Sequence, residues 1–343
     1  MNKHRTLREF FIGIDVSKLT FDVALIVVDD HRKGPVTTQQ FENNPGGLKS
    51  FDKWLKAEGV TRDEQTLLVI ENTGIYHRLI WQFCYSNGIR IHIGNAAHIK
   101  WSLGITRGKN DREDSIRLCH YASKEAATLK AAPEPEIAIL KLKDLHSSRT
   151  RLLSQLSANK KYVRELKGIN DKATQAALEK IYKHAIDGLS NSIKAIEVQI
   201  KAIIAKSKAL KVNYDLLITV PGIGFITAVY IICCTLNFVA KPTGKQLACY
   251  AGLAPFADQS GTSIKGKPKV HKMANKELKR LLHLGARSAI QHNAEFRQYY
   301  ERKNAEGKHD LSVVNAIKNK IVLRVAAVVH TGKPYVDKHQ IAA

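Results

Sequence analysis

Residues 10–29, FFIGIDVSKLTFDVALIVVD, constrain the fold more tightly than any other stretch of the chain. Phe11, Ile12 and Ile14 lead into Asp15. After a short Val-Ser-Lys-Leu link, Phe21, Val23 and Leu25 alternate with Asp22 and Ala24 before the run Ile26–Val28. Period-two alternation rich in β-branched residues predicts two strands, and so short a link predicts a hairpin. A third strand is expected at 35–42, after a turn at His31–Gly34. Asn44-Pro45-Gly46-Gly47 reads as a breaker. A helix follows from Leu48 to Glu58, with Leu48, Phe51 and Leu55 on one face and Gly59 as its stop. Thr66–Ile70 suits a buried strand and delivers Glu71 at its end. A helix at Tyr76–Ser86, a strand at Ile89–Ile93 and a helix at Lys109–Lys124 follow. This order predicts an α/β domain, a five-stranded mixed sheet with helices on its faces.

The two prolines of Ala131–Pro135 mark a boundary. From Glu136 to Lys211 glycine becomes rare. Leu189, Ile193, Ile196, Ile200 and Ile203 step by four, three, four and three, the spacing of a coiled-coil seam. Leu145, Leu152, Leu156, Val163 and Leu166 suggest a partner helix, with a turn at Gly168–Asp171, so a long antiparallel hairpin or a dimerising coiled coil is expected. Residues 212–343 read as mainly helical, with a loop-rich insert at 242–268. Three segments are thus expected, 1–130, 131–211 and 212–343. A chain of 343 residues has room for two or three domains.

Charge selects the partner. Lys and Arg number 54 against 31 Asp and Glu, a formal charge of +23. Such a field attracts polyanions, because each neutralised phosphate releases condensed counterions. Nucleic acid is the expected partner, ribosomal and membrane-surface proteins being the other basic classes. The five cysteines, Cys84, Cys119, Cys233, Cys234 and Cys249, form no C-x-x-C pair, which predicts free thiols in a reducing compartment. No apolar run reaches the roughly 18 residues of a membrane helix, and the charged start MNKHRTLREF lacks a signal-peptide core. A soluble, cytoplasmic protein is expected.

Asp15 lies inside an apolar strand and Glu71 closes another, positions where an unpaired charge is costly. Asp111 and Asp114 are three apart, so a helix projects them from one side. Hard cations such as Mg²⁺ take carboxylate oxygens together with water and substrate phosphate. Two metals roughly 3.5–4 Å apart can stabilise both oxygens of an in-line phosphoryl displacement. Four carboxylates converging at strand ends would suit that chemistry. A solvated helix start, where acids are favoured, is the alternative reading of Asp111 and Asp114.

In the second half, Gln259-Ser260-Gly261 reads as a turn that leaves a hydroxyl accessible. From 261 to 287 there are eight Lys or Arg and a single acid, Glu277. A hydroxyl among cations near a metal site could attack a phosphodiester, although serine beside glycine is also ordinary turn chemistry. Val220-Pro221-Gly222-Ile223-Gly224 lies between two apolar helical stretches and has the form of a helix-hairpin-helix element. Its glycines would let backbone N–H groups approach a phosphate, or serve only a tight helix–helix turn.

The stretches FIGIDVSKLTFDVAL, VIENTGIY and NAAHIKWSLGITRGKNDREDSIRLCHYA together resemble the DEDD transposases of the one-ten and eleven-eleven insertion-sequence groups, with the Piv-type invertases as relatives. The resemblance implies a RuvC-like, ribonuclease-H-like first domain and matches the family's four acids to Asp15, Glu71, Asp111 and Asp114. Glu71-Asn72-Thr73-Gly74 departs from the usual Glu-Ala-Thr-Gly. Lys109-Asn110-Asp111-Arg112-Glu113-Asp114-Ser115 keeps the spacing of the usual Lys-Thr-Asp-x-x-Asp-Ala with different neighbours. The resemblance runs on through 212–295, the family's transposase domain, and matches its catalytic serine to Ser260, with Thr262 and Ser263 as nearby competitors. It implies Mg²⁺, or Mn²⁺, and strand exchange through a covalent phosphoserine–DNA ester. Lys265, Lys267, Lys269, Lys272 and Arg280 would neutralise the backbone of element-end and target DNA, with Gly222 and Gly224 as further contacts. It also implies a structured guide RNA and a homo-oligomer, dimer or tetramer, whose composite site joins the acids of one domain to the serine of the other. A RuvC-like nuclease using water, or a binding protein without catalysis, are the competing expectations.

Overall fold

The hairpin at residues 10–29 forms the middle of a mixed sheet. In the computed structural model, β1 (Arg8–Val16) and β2 (Thr20–Asp29) pair antiparallel from Arg8↔Asp29 to Val16↔Phe21. The structure describes residues 8–72, 74–103, 110–260, 264–270 and 274–337. On one side β2 pairs antiparallel with the two-residue β3 (Arg32–Lys33) and with β4 (Thr37–Glu42). On the other side β1 pairs parallel with β5 (Thr66–Glu71), and β5 parallel with β6 (Arg90–Gly94). The expected sheet is there, with β3 as a sixth, minimal strand on the edge.

The Asn44–Gly47 breaker turns out to be the start of a helix. α1 (Pro45–Ala57) has Asn44 as its N-cap, accepting from Gly47 N–H at 2.8 Å, with Pro45 in the first turn. Proline there gives up an N–H that has no helical partner in any case. α2 (Arg78–Ser86) and the unanticipated α3 (Ala96–Leu103) follow β5 and β6, and α4 (Asp111–Glu125) covers the other face of the sheet from α1 and α2. Alternation sorts the two faces of the sheet. Phe21, Phe41, Phe51, Trp54 and Phe83 stack in one aromatic cluster with α1 and α2. On the opposite face Phe11, Ala24, Ile26, Leu67 and Val69 pack with Leu118, Cys119 and Ala122 of α4.

Gly13 sets how closely α4 can lie. A Cβ at this position would fall inside the backbone of Ser115 and Cys119. The helix therefore rests on bare β1 backbone, and Cys119 Sγ reaches Phe11 O at 3.0 Å.

The chain divides into two compact units, residues 1–135 and 136–343. The second begins with α5 (Ile137–Glu165) and α6 (Lys172–Lys206), an antiparallel pair in which Arg149 donates to Glu197 at 2.7 Å and Tyr162 meets Tyr182. Asp171 caps α6, accepting from Ala173 N–H and Thr174 N–H. At the open end of this hairpin, Ile139, Leu142, Ile200 and Ile204 join the core of the unit. That core is closed by α7 (Lys208–Leu217), α8 (Phe225–Thr235), α9 (Gly244–Tyr250), α10 (Lys276–His292), α11 (Ala294–Ala305) and α12 (Asp310–Thr331). The insert expected to be loop holds α9, started by a Thr243–Gln246 capping box, and a two-stranded ribbon of β7 (Pro255–Ser260) and β8 (Ile264–Val270). No helix of the described residues is long and apolar enough to cross a membrane.

Candidate functional site

Asp15 and Glu71 come together because β1 and β5 run parallel in register. Gly13 pairs with Val69 and Ile14 with Ile70, so the next step places Asp15 beside Glu71. Both continue the odd-numbered rows, 11–13–15 and 67–69–71, that face α4. The seat of α4 on Gly13 carries its N-terminal turn, with Asp111 and Asp114, toward the same strand ends. Asn110 caps that turn, accepting from Glu113 N–H at 2.7 Å.

Electrostatics follow from this convergence. The Asp15 carboxyl is pushed up to about 6, first by burial and then by the charges of Asp111, Asp114 and Glu71, with only the Val16 N–H opposing. Glu71 is also raised, by burial and then by Asp114. Mutual repulsion in partial burial is a state that a bound cation would relieve. Asp114 is held by Arg117 at 2.5 Å, and among the described residues no three His, Cys, Asp or Glu side chains form a closed ligand cluster. The donor set nonetheless fits a hard divalent cation. It consists of carboxylate oxygens at one strand end.

Two residues at this end escaped the sequence reading. Asp22 stands directly across from Asp15 on β2, 9% exposed, accepting from Gln40 Nε2 at 3.0 Å. Its place on an alternating strand was the available signal. Asn43 donates through Nδ2 to Ser17 O at 2.9 Å and to Tyr76 O at 3.1 Å. It ties the β1–β2 turn to the segment after Glu71, and nothing local in the sequence marks it.

In the second unit Ser260 ends β7 and pairs with Ile264, while Lys265 lies opposite Gln259 and Lys269 opposite Phe256. For Ser260, Lys265, Lys267 and Lys269 the description is of the backbone; Gly261, Thr262, Ser263 and Lys272 lie outside the described residues. The stem of the ribbon is clamped by Asn275. Its N–H donates to Tyr250 O at 2.9 Å and its Nδ2 to Tyr250 Oη at 2.8 Å. Its Oδ1 accepts from Tyr230 Oη at 3.0 Å and from Leu278 N–H at 2.8 Å, capping α10. Burial raises both phenols, Tyr250 to about 12, so each keeps its proton. Arg280 makes two bonds to Glu277, at 2.8 and 2.7 Å, which occupy much of its guanidinium.

The two turn glycines differ. Gly222 has φ +88°, and a Cβ there would meet Gly285 O at 2.7 Å, so it packs the turn against α10. Gly224 faces open space and begins α8 with no side-chain cap. The N–H groups of the first turn of α8 thus receive no side-chain cap from Gly224, as an approaching anion requires.

A family described as "Transposase IS116/IS110/IS902 family" matches residues 214–301, and the IS110-type DEDD transposase family matches residues 12–167. The pilin gene-inverting protein of Moraxella bovis is 30% identical over 335 residues, covering 95% of this chain and 97% of that protein. An IS110 insertion-element protein of Streptomyces coelicolor is 35% identical over 126 residues, 36% of this chain and 31% of that protein. With both units matched and one relative aligned along nearly its whole length, the chain belongs to the DEDD transposase family of IS110 and its relatives.

Proposed function

We propose that this chain is a DNA recombinase that cuts and rejoins strands through a phosphoserine ester on Ser260, with Mg²⁺ held by Asp15, Glu71, Asp111 and Asp114. The observation that carries the reading is the convergence of Asp15 and Glu71 on adjacent parallel strands, with the acids of α4 close enough to raise Asp15. The strand order β4-β2-β1-β5-β6 supports a ribonuclease-H-like domain. The name of the Moraxella protein, an inverter of a pilin gene, supports DNA rearrangement as the outcome.

A divalent cation, when bound, supplies positive charge against the phosphoryl oxygens of the reacting DNA. Ser260 Oγ attacks phosphorus and the bond to the departing strand breaks. The departing oxygen takes up a proton as the serine gives one up. The phosphorylated strand end stays on the serine until the hydroxyl of an incoming end attacks the ester, reverses the exchange and frees Ser260. Lys265, Lys267, Lys269, Lys272 and Arg280 neutralise backbone phosphates, while Gly222 and Gly224 shape the turn that lets α8 approach one. A homo-oligomer, dimer or tetramer, is part of the proposal. So is a structured RNA guide.

The test is a denaturing gel of full-length protein with Mg²⁺ and end-labelled element DNA, with and without ribonuclease treatment. Labelled protein is expected from the wild type and from neither Ser260→Ala nor Asp15→Asn. Adduct in Ser260→Ala would move the nucleophile to Thr262 or Ser263. Loss of adduct after ribonuclease treatment supports the RNA guide, and undiminished adduct removes it. Cleavage without adduct favours hydrolysis by water, a reading helped by the gathering of all four acids in the first unit alone. Binding without either reaction would leave a non-catalytic nucleic-acid-binding protein.

A further inference from the structure

Lys279, His283 and Arg287 follow one another at four-residue steps on α10 and so share one helix face. α12 packs against α10 and contributes Lys318 to the same neighbourhood. Lys318 is 6% exposed and is the one Lys or Arg among the described residues that is buried. It makes no hydrogen bond or ion pair with a described residue. Burial first, and Lys279 second, hold its ammonium below the usual lysine range. His283 is lowered as well, by burial, then by Lys318 and Arg287, with Asp310 opposing. Asp310 is already engaged, gripping Arg287 at 2.6 Å and accepting from Tyr300 Oη at 2.5 Å.

Buried ammonium groups are ordinarily paired, since desolvation without a counter-charge is costly. Here the charged neighbours are cationic, and the nearby acid is committed to another cation. Among the described residues the side-chain atoms sealed without a hydrogen bond include His146 Nε2 and Asn43 Oδ1, and the Lys318 ammonium is not one of them.

We propose that the junction of α10 and α12 is a phosphate site, in which Lys318, Lys279 and His283 hold a backbone phosphodiester of bound nucleic acid. The proposal rests on the nucleic-acid reading above. It adds residues of α10 and α12 to the contacts proposed for the serine ribbon and for the Gly222–Gly224 turn, which packs on the same two helices at Gly285 and Ile321. A lysine that only covers apolar surface with its stem would also be buried, and that role predicts different behaviour on substitution.

Full-length protein is titrated with fluorescent duplex DNA and with duplex RNA of the same sequence, and log K is followed against log salt concentration. Lys318→Met removes the charge and keeps the apolar stem. The variant should melt at or above the wild-type temperature, and its slope on the DNA duplex should shrink by about 0.9, the value of one lost phosphate contact. Lys279→Gln, on the same helix face, should lower the slope similarly and guards against a folding defect in the first variant. A lowered slope with DNA alone, with RNA alone or with both supports the site and identifies the polymer that fills it. Folded Lys318→Met and Lys279→Gln variants that keep the wild-type slope on both probes overturn it. Wild-type protein that binds neither probe in a salt-dependent way would instead sink the nucleic-acid reading itself.

Discussion

The two units support their proposed reactive groups in contrasting ways. Asp15 and Glu71 end paired strands inside a sheet covered on both faces, and α4 lies flush on Gly13 above them. Ser260 ends one strand of a two-stranded ribbon, whose partner strand begins at Ile264. A lone ribbon of two strands is marginal in water, and this one is fastened at its stem by the side chains of Asn275 and Asn315, the latter donating to Leu253 O at 3.0 Å. The acids thus sit where geometry is dictated by a core, whereas the serine sits where geometry is left to a clamp. Groups that must hold several like charges in a fixed relation need the first kind of support. A nucleophile that must meet a separately bound strand can use the second.

The contrast can be broken most forcefully at Asp15. Asp15→Asn should lower strand exchange by roughly a thousandfold, as expected for loss of a principal electrostatic contributor to phosphoryl transfer. The same change should raise the melting temperature in EDTA at neutral pH. The sign follows from the pKa. Folding raises Asp15 from its ordinary value of 3.8 to about 6, so the stability linked to its protonation is fully present below about pH 4 and is lost as pH rises through about 6. The gain from the substitution is about 1 kcal/mol, after allowing for solvent screening of a partly exposed group. Wild type in EDTA should therefore lose stability from pH 4 to 7, added Mg²⁺ should restore it, and Asp15→Asn should lack both responses. A melting curve in which Mg²⁺ has no effect on the wild type would count against the metal site.

Next in size is the seat of α4. Gly13→Val forces a branched side chain into the backbone of Ser115 and Cys119 and should cost about 3 kcal/mol or more by overpacking. Wild-type stability in denaturant titration would show that α4 does not depend on this contact. Smallest is the clamp. Asn275→Ala removes a helix cap and the bonds to two tyrosines, for about 1–2 kcal/mol. It should reduce adduct at temperatures where the protein remains folded, while leaving the Mg²⁺ response of the first unit intact. Undiminished adduct would mean that the ribbon does not need its stem.

Legibility in the sequence follows the same division. Strands β1, β2 and β5 were readable because alternation and apolar density are local, and Asp15 and Glu71 stood out as charges in those runs. Asp111 and Asp114 were readable by spacing and by resemblance, because an acid at a helix start is ordinary. The start of α1 was misread because Asn-Pro-Gly-Gly serves a turn and a capped first turn equally well. The β7–β8 ribbon was missed because Gly, Pro, Ser and Lys are weak strand formers, and its pairing rests on tertiary support at the stem. Asn43 and Asn275 bond to partners distant in sequence, and Lys318 is buried against a helix distant in sequence, so no window of the chain displays these neighbours together.

The clamp at Asn275 has one more consequence. The chain leaves the helical core after Leu253, whose carbonyl accepts from Asn315 Nδ2 at 3.0 Å, and is tied back to Tyr250 at Asn275, so the ribbon is a detour fastened to the core at both of its ends. Lengthening such a detour is cheap, about 0.6 kcal/mol for each doubling of a flexible loop. The region can therefore be treated as an exchangeable cassette. Ribbons of other lengths or charge could be grafted between Leu253 and Asn275, and the reach toward DNA retuned without redesigning the helices beneath.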